Sequence, residues 1–305
     1  MTLYRLEITD LSSLKVCGPD SETFLQSILS NDMTGLTPGQ SVFSLLLTPQ
    51  GKVVFDLIIW RTEDGYIIEV EKSRSAELEK KFKLYKLRAD VDISLKDLLV
   101  TCLWGDIPES LARDLPFDPR HKGLGLRVPD LDIFDSLNFD DVSETATEGM
   151  YKKHRIAHKV PQGSDEIPQD HAFPLEYGLH ELKAIDFQKG CYIGQEVTSR
   201  TYRRGKIRKS LYRCASQDFF SCQDKIMVGE RQVGEICAWQ DDEGLALAAL
   251  AHGCVRLPLC LAVLIHQLCT RFEAREASFC GACRLIGMVT AAGVADGCNE
   301  AVHGE

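Results

Sequence analysis

The stretch Lys189-Gly190-Cys191-Tyr192-Ile193-Gly194-Gln195-Glu196 sets one thiol between two glycines and closes on an amide and a carboxylate. Glycine on each side opens backbone dihedrals denied to other residues and lets a ligand or partner approach the main chain. Core packing rarely demands that combination, so the thiol reads as a contact group. Downstream, Arg200, Arg203, Arg204, Lys206, Arg208, Lys209 and Arg213 follow with no intervening acid. A positive field of this kind favours thiolate over thiol.

Working outward, a short helix over residues 176–184 leads through Phe187-Gln188 into the motif, which therefore sits on a connection. Another helix begins near Ser143, runs through Tyr151, Arg155 and Ile156, and stops before Pro161-Gln162-Gly163-Ser164. Strands are expected at residues 91–95, 99–104 and 124–128. Nearer the N-terminus, residues 3–8 read as a strand, and Gly18-Pro19-Asp20-Ser21 turns into a helix bearing Phe24, Leu25, Ile28 and Leu29. The apolar runs 42–47 and 53–60 form a hairpin through Thr48-Pro49-Gln50-Gly51-Lys52, with a further strand at 66–70. Ser73 is the expected N-cap of a helix to about Leu87, with Leu78, Phe82 and Tyr85 on one stripe. A basic strand carrying Arg200, Arg203 and Arg204 follows the motif, past Gly205 the period becomes two, and with another strand at 232–236 this gives a small β domain. From about Ala248 the pattern disappears, and no fold follows for the rest.

The bulk properties set limits. A chain of 305 residues has room for about two or three domains, and 44% hydrophobic with 26% charged residues is ordinary for a folded protein. A net charge of −10 argues against a general nucleic-acid coat, while the basic run concentrates positive charge where an anionic partner would bind. Met1-Thr2-Leu3-Tyr4-Arg5-Leu6 has no leader character, which predicts a cytoplasmic protein. No membrane partner is expected, since Arg256, Pro258 and His266 interrupt the apolar run 255–268. Twelve cysteines in a chain of this size read as reduced thiols, and the lone Cys280-Gly281-Ala282-Cys283 lacks a second pair at zinc-site spacing.

Laid out this way, the chain resembles the YgfZ family of folate-binding proteins, relatives of the glycine-cleavage T-protein aminomethyltransferase that assist iron-sulfur cluster assembly. Residues 189–196 match K-G-C-[FY]-x-G-Q-E, Tyr151 to Ile156 with Val160-Pro161-Gln162-Gly163 match Y-x-x-x-R-I…V-P-x-G, and Leu47 to Lys52 match the L-T-P-Q-G-K hairpin. The resemblance covers roughly residues 1–250. It implies an α+β fold: a duplicated folate-binding, T-protein-like α+β domain followed by a small, incomplete C-terminal β-barrel. The expected units are 1–90 and 91–200 for the two folate-binding halves, 201–250 for the partial barrel, and 251–305 for an atypical tail, disordered or frame-shifted.

The resemblance also implies roles. Cys191 becomes a reactive or cluster-contact thiol, transiently sharing an iron-sulfur cluster with a partner, because such clusters want about four thiolates. Tetrahydrofolate or a derivative is the implied cofactor, with Glu176 accepting the pterin donors bidentately, Tyr192 stacking on the ring or packing beneath the loop, and Arg204 holding the glutamate tail. Lys189, Gly190, Gly194, Gln195 and Glu196 complete the motif, Lys189 either lowering the thiol pKa or lying on the surface. The implied partners are iron-sulfur scaffold or carrier proteins and iron-sulfur client enzymes, with tRNA-modifying enzymes as an alternative. Two departures count against one-carbon transfer as the alternative function. Phe55-Asp56 leaves one acid where the aminomethyltransferases carry two, and Arg203 replaces the family's usual histidine, removing a group that exchanges protons near neutral pH.

Overall fold

Valine- and isoleucine-rich runs bounded by turn chemistry set the strands, and their pairing sets the rest. The computed structural model describes residues 2–131, 143–205, 207–228 and 230–249. The tail reading for residues 251–305 lies outside the described residues, as does the Cys280–Cys283 pair.

The N-terminal half contains β1 (Leu3–Ile8), β2 (Leu11–Cys17), α1 (Ser21–Ile28), β3 (Ser41–Leu47), β4 (Val53–Thr62), β5 (Gly65–Glu71) and α2 (Ser75–Lys86). It continues through β6 (Asp92–Asp97), β7 (Val100–Gly105), α3 (Glu109–Asp114) and β8 (Leu126–Pro129). After it come β9 (Glu144–Thr145), α4 (Glu148–Ala157), α5 (Gly163–Glu166), α6 (Gln195–Arg204), β10 (Lys209–Ala215), β11 (Lys225–Val228), β12 (Arg231–Gln240) and β13 (Glu243–Ala249).

Three sheets result among the described residues, in the orders β3-β4-β5-β2-β6, β8-β7-β1-β9 and β10-β13-β12-β11. The first two exchange strands. N-terminal β1 pairs antiparallel with β7, Leu3 opposite Gly105, while β6 from beyond residue 90 pairs with β2, Ser12 opposite Asp97. The strand pairing therefore crosses the 90/91 boundary in both directions. The third sheet is open among the described residues, since β10 pairs with β13 and β11 with β12.

Strand β4 explains the layering. Its first eight residues are buried except Asp56, so it reads as a nearly continuous apolar run, the signature of a strand covered on both faces. On one face Val54, Leu57 and Ile59 join Phe24, Leu25 and Ile28 of α1 and Leu78 and Phe82 of α2. On the other, Val53, Ile58 and Trp60 join Val100 and Trp104 of β7, Tyr151 and Ile156 of α4, and Leu211, Leu245 and Leu247 of the third sheet. Strand β6 is an edge, mostly exposed and carrying Asp92, Lys96 and Asp97, charges that discourage stray pairing.

Between the two α+β sheets lies a buried charge cluster. Arg127 donates to Glu69 at 2.5 and 3.0 Å, Trp60 Nε1 donates to the same carboxylate at 2.6 Å, and Arg120 forks onto Asp118 at 2.6 and 2.9 Å. Arg127 also approaches Asp118 at 3.7 Å. Burial acts against both guanidiniums, yet the carboxylates beside them hold both above the ordinary arginine range. The Y-x-x-x-R-I segment serves a related purpose: Arg155 clamps Glu166 at 2.9 and 3.0 Å and the Val160 carbonyl at 2.9 Å, and Tyr151 Oη lies 3.3 Å from Arg120.

Four local expectations need correction. Ser73 does not cap α2: it falls within a 3₁₀ turn, Lys72–Arg74, and the helix starts at Ser75. Ser143 does not start α4, because 144–145 pair with β1 and the Thr147 side chain accepts from Met150 N at 3.3 Å as the cap. Residues 176–184 form successive turns instead of a helix, since Gly178 (φ +69°) and Lys183 (φ +59°) take left-handed conformations. The basic strand is, over Gln195–Arg204, helix α6, bounded by Gly194 (φ +83°) and Gly205 (φ +62°). Strand geometry begins at Lys209.

Candidate functional site

The motif is held by what flanks its thiol. Asp186 Oδ1 accepts from Gln188 N at 2.7 Å and Lys189 N at 3.3 Å, folding the chain back on itself. Lys189 then turns inward, with Nζ donating to the carbonyls of Leu29 at 2.8 Å and Asn31 at 2.5 Å. Asn31 Nδ2 in turn donates to Phe43 O and Lys183 O, each at 2.7 Å, and Ser30 Oγ donates to Ala184 O at 2.6 Å. The segment after α1 thus grips the chain on its way into the motif. Burial pulls the Lys189 ammonium down to about 8, while Asp32 and Asp186 act to raise it. Lys189 is therefore a buried anchor and not a surface lysine.

Tyr192 is the second anchor. It is 7% exposed within the main core, and its ring centroid lies 5.4 Å from Lys189 Nζ. Burial pushes its hydroxyl up to about 12, and among the described residues that hydroxyl has no hydrogen-bond partner. Between the two anchors, Gly190 and Cys191 are exposed. Cys191 is the one exposed cysteine among those described, the others being half-buried or buried. A side chain at Gly190 would meet nothing within 4 Å. That glycine leaves open space beside the thiol and relieves no crowding.

Gly194 is different. A Cβ there would stand 2.6 Å from the Thr48 carbonyl, and one on Gly51 (φ +75°) would stand 3.0 Å from Thr198 Oγ1. The L-T-P-Q-G-K hairpin therefore packs its tip on the start of α6, so two motifs separated by about 140 residues are one structural contact. Gln195 N donates to Tyr192 O at 3.2 Å, Thr198 Oγ1 donates to Gly194 O at 3.0 Å, and Glu196 pairs with Arg200 on the surface. Arg203 and Arg204 are exposed in the last turn.

Glu176 lies in the turns before the motif and lines two cavities. One, of about 510 Å³, is walled by Glu166, His171, Tyr177, Lys209, Glu235 and Cys237. The other, of about 380 Å³, lies among Gly51, Phe173, Val197, Thr198, Thr201 and Arg208. Both sizes suit a small organic ligand. Burial raises the Glu176 carboxyl, countered by Lys209 and Arg208. The basic side chains at Glu176 are thus Lys209 and Arg208; Arg204 and Tyr192 line neither cavity.

The lone acid of β4 is engaged elsewhere: Asp56 Oδ2 accepts from Gly163 N at 3.0 Å, and Phe55 lies under the Arg74 guanidinium at 3.9 Å. Sequence reasoning missed the stack of Phe187 on Tyr202, centroids 3.9 Å apart and planes at 12°, with the His180 ring edge-on at 5.9 Å. No spacing signals it, since the two rings meet only because α6 folds back beside the loop.

Comparison with known proteins follows the same outline. Residues 4–101 match the family described as "GCVT N-terminal domain". The chain is 33% identical over 237 residues to the mitochondrial iron-sulfur cluster assembly factor IBA57 homolog of Neurospora crassa, covering 69% of this chain and 54% of that protein. It is 33% identical to the Pyricularia oryzae homolog, covering 57% of that protein, and 28% identical over 273 residues to human IBA57, covering 74% of it. The chain thus spans little more than half the length of the two fungal relatives. Among solved structures, the glycine cleavage aminomethyltransferase T of Bartonella henselae superposes with a TM-score of 0.67 over 81% of this chain and 78% of that one, at 15% identity. That likeness is one of fold. The relatives are described as mitochondrial, which overturns the cytoplasmic expectation. That expectation rested on residues 1–6, most of which belong to β1 and so carry fold information instead of an address.

Proposed function

Because the chain is similar to the IBA57 iron-sulfur cluster assembly factors, we propose that it belongs with them and supports iron-sulfur cluster assembly, with Cys191 as its contact thiol beside a folate pocket. The observation that carries the reading is the presentation of Cys191: exposed, next to open space at Gly190, and held between the buried anchors Lys189 and Tyr192. A fixed, accessible thiol can meet a cluster as cargo. One thiolate is short of the about four that a cluster wants, so the scaffold, carrier or client protein supplies the others.

The folate part of the proposal rests on Glu176. Its carboxylate can accept two parallel N–H donors of a pterin, and the cavities it lines are large enough for one. Arg208 and Lys209 stand beside that carboxylate and oppose the burial that would protonate it, keeping it an acceptor. Bound there, tetrahydrofolate would bring a reduced pterin and its one-carbon positions next to the motif. The same reading takes the two strand-exchanging sheets as the duplicated T-protein-like unit.

The cluster role is tested by expressing the chain in a fungal strain lacking its own IBA57 homolog. The wild-type chain should restore iron-sulfur enzyme activity and Cys191→Ser should not; full rescue by Cys191→Ser removes the contact-thiol reading. The folate role is tested by titration calorimetry with tetrahydrofolate, where Glu176→Gln should weaken binding about tenfold or more through loss of a charge-assisted pair.

A further inference from the structure

We propose that the solvent face of α6 is a docking surface for a folded protein partner with an acidic surface, which it brings to Cys191. The inference deepens the contact-thiol reading and rests on it. Helix α6 buries only Thr198, at 3% exposure. Arg200, Arg203 and Arg204 recur at spacings of three and four, so they share the opposite arc. Arg200 is paired with Glu196; among the described residues, no ion pair engages Arg203 or Arg204.

Like charges at these spacings destabilise an isolated helix. The helix dipole favours cations in the last turn and so accounts for Arg203 and Arg204 individually. It does not account for the exposed apolar groups on the same helix: Val197, 38% exposed, borders the arginine stripe beside Arg204, while Tyr202, 48% exposed, lies toward the Thr198 side, where its ring meets Phe187. The Tyr202 ring is already held against Phe187, so little freedom remains to be lost on binding. Arginine and tyrosine around exposed apolar groups is the composition of interface anchors.

The partner's chemistry follows from charge. The run from Val197 to Arg213 contains seven basic residues and no acid, in a chain of net charge −10. The surface therefore attracts an acidic patch locally, while the rest of the molecule repels a long polyanion. A short basic stripe bordered by an exposed valine suits a protein face, with an apolar centre and polar rim, better than a nucleic-acid backbone.

The test is fluorescence anisotropy on the full chain with two probes, a fluorescein-labelled oligoglutamate peptide and a labelled oligoribonucleotide of equal charge. The peptide should bind at about 0.1 M salt and be released near 1 M, as the screening length falls from about 10 Å to about 3 Å. The double substitution Arg203→Ala with Arg204→Ala should weaken peptide binding about tenfold, and adding Arg200→Glu should abolish it. Unchanged thermal melting of the double variant shows that the fold is intact. Equal peptide affinity for wild type and double variant, or no peptide binding at all, overturns the proposal; tighter binding of the oligoribonucleotide overturns it in favour of RNA. No thiol takes part in peptide binding, so the Cys191→Ser complementation fails or succeeds independently of this result.

Discussion

Lys189→Met is expected to remove a pH-dependent penalty from the folded state. The unfolded ammonium titrates near about 10.4, and the buried one, facing the Leu29 and Asn31 carbonyls, at about 8. A lowered folded value means that between about pH 8 and about pH 10.4 the unfolded chain holds more protons, so raising the pH stabilises the fold. Below that window both states are charged and the folded state bears the full desolvation cost; above it both are neutral and the cost is gone. At about 1.36 kcal/mol per pKa unit, wild type should gain on the order of 2 kcal/mol over Lys189→Met between about pH 7 and about pH 10. Leaving two carbonyls without their donor costs the variant about 1–3 kcal/mol each at every pH, which offsets the difference curve without tilting it. Urea unfolding of both proteins across this range gives that curve directly. A flat curve would refute the burial of a charged ammonium under the motif, and a falling one would refute the sign of the shift.

Two further predictions concern what surrounds the motif. Arg127→Met strands the buried Glu69 carboxylate and should cost about 3–5 kcal/mol in urea unfolding, whereas combining it with Glu69→Gln, which keeps an acceptor for Trp60 Nε1, should cost much less; equal costs would mean that the pair is not coupled. Gly194→Ala should cost about 2 kcal/mol or more from its left-handed backbone and the Thr48 carbonyl, while Gly190→Ala, in open space without positive φ, should stay within about 0.5 kcal/mol. Similar losses at both glycines would undo the distinction drawn between them.

The site was only partly legible in the sequence. The motif announced an accessible thiol because glycines and a basic run are local features, and the structure exposes Cys191. The role of Lys189 was hidden, because its carbonyl partners lie about 160 residues away and a lysine is by default a surface residue. Helix α6 was read as strand for a related reason. It buries almost nothing, so no apolar stripe marks its period, and the alternation beyond Gly205, which does lead into β10, extends the strand reading back into it. The cations facing Glu176, Lys209 and Arg208, follow from the start of β10 lying beside the turns, a long-range contact that no local pattern marks.

By itself, the sequence determined the elements whose signals are local: the β3–β4 hairpin through its proline and glycine, α1 through its apolar stripe, and β4 through its nearly continuous apolar run. Tertiary structure decided everything that depends on partners distant in the chain. It chose β7 as the mate of β1 and β2 as the mate of β6, and it set the hairpin tip against Gly194. It also turned Lys189 and Tyr192 inward so that Cys191 faces out. The physical reason is that hydrogen-bond ladders and desolvation reward whichever distant groups meet, and a residue's neighbours in sequence do not specify which groups those are.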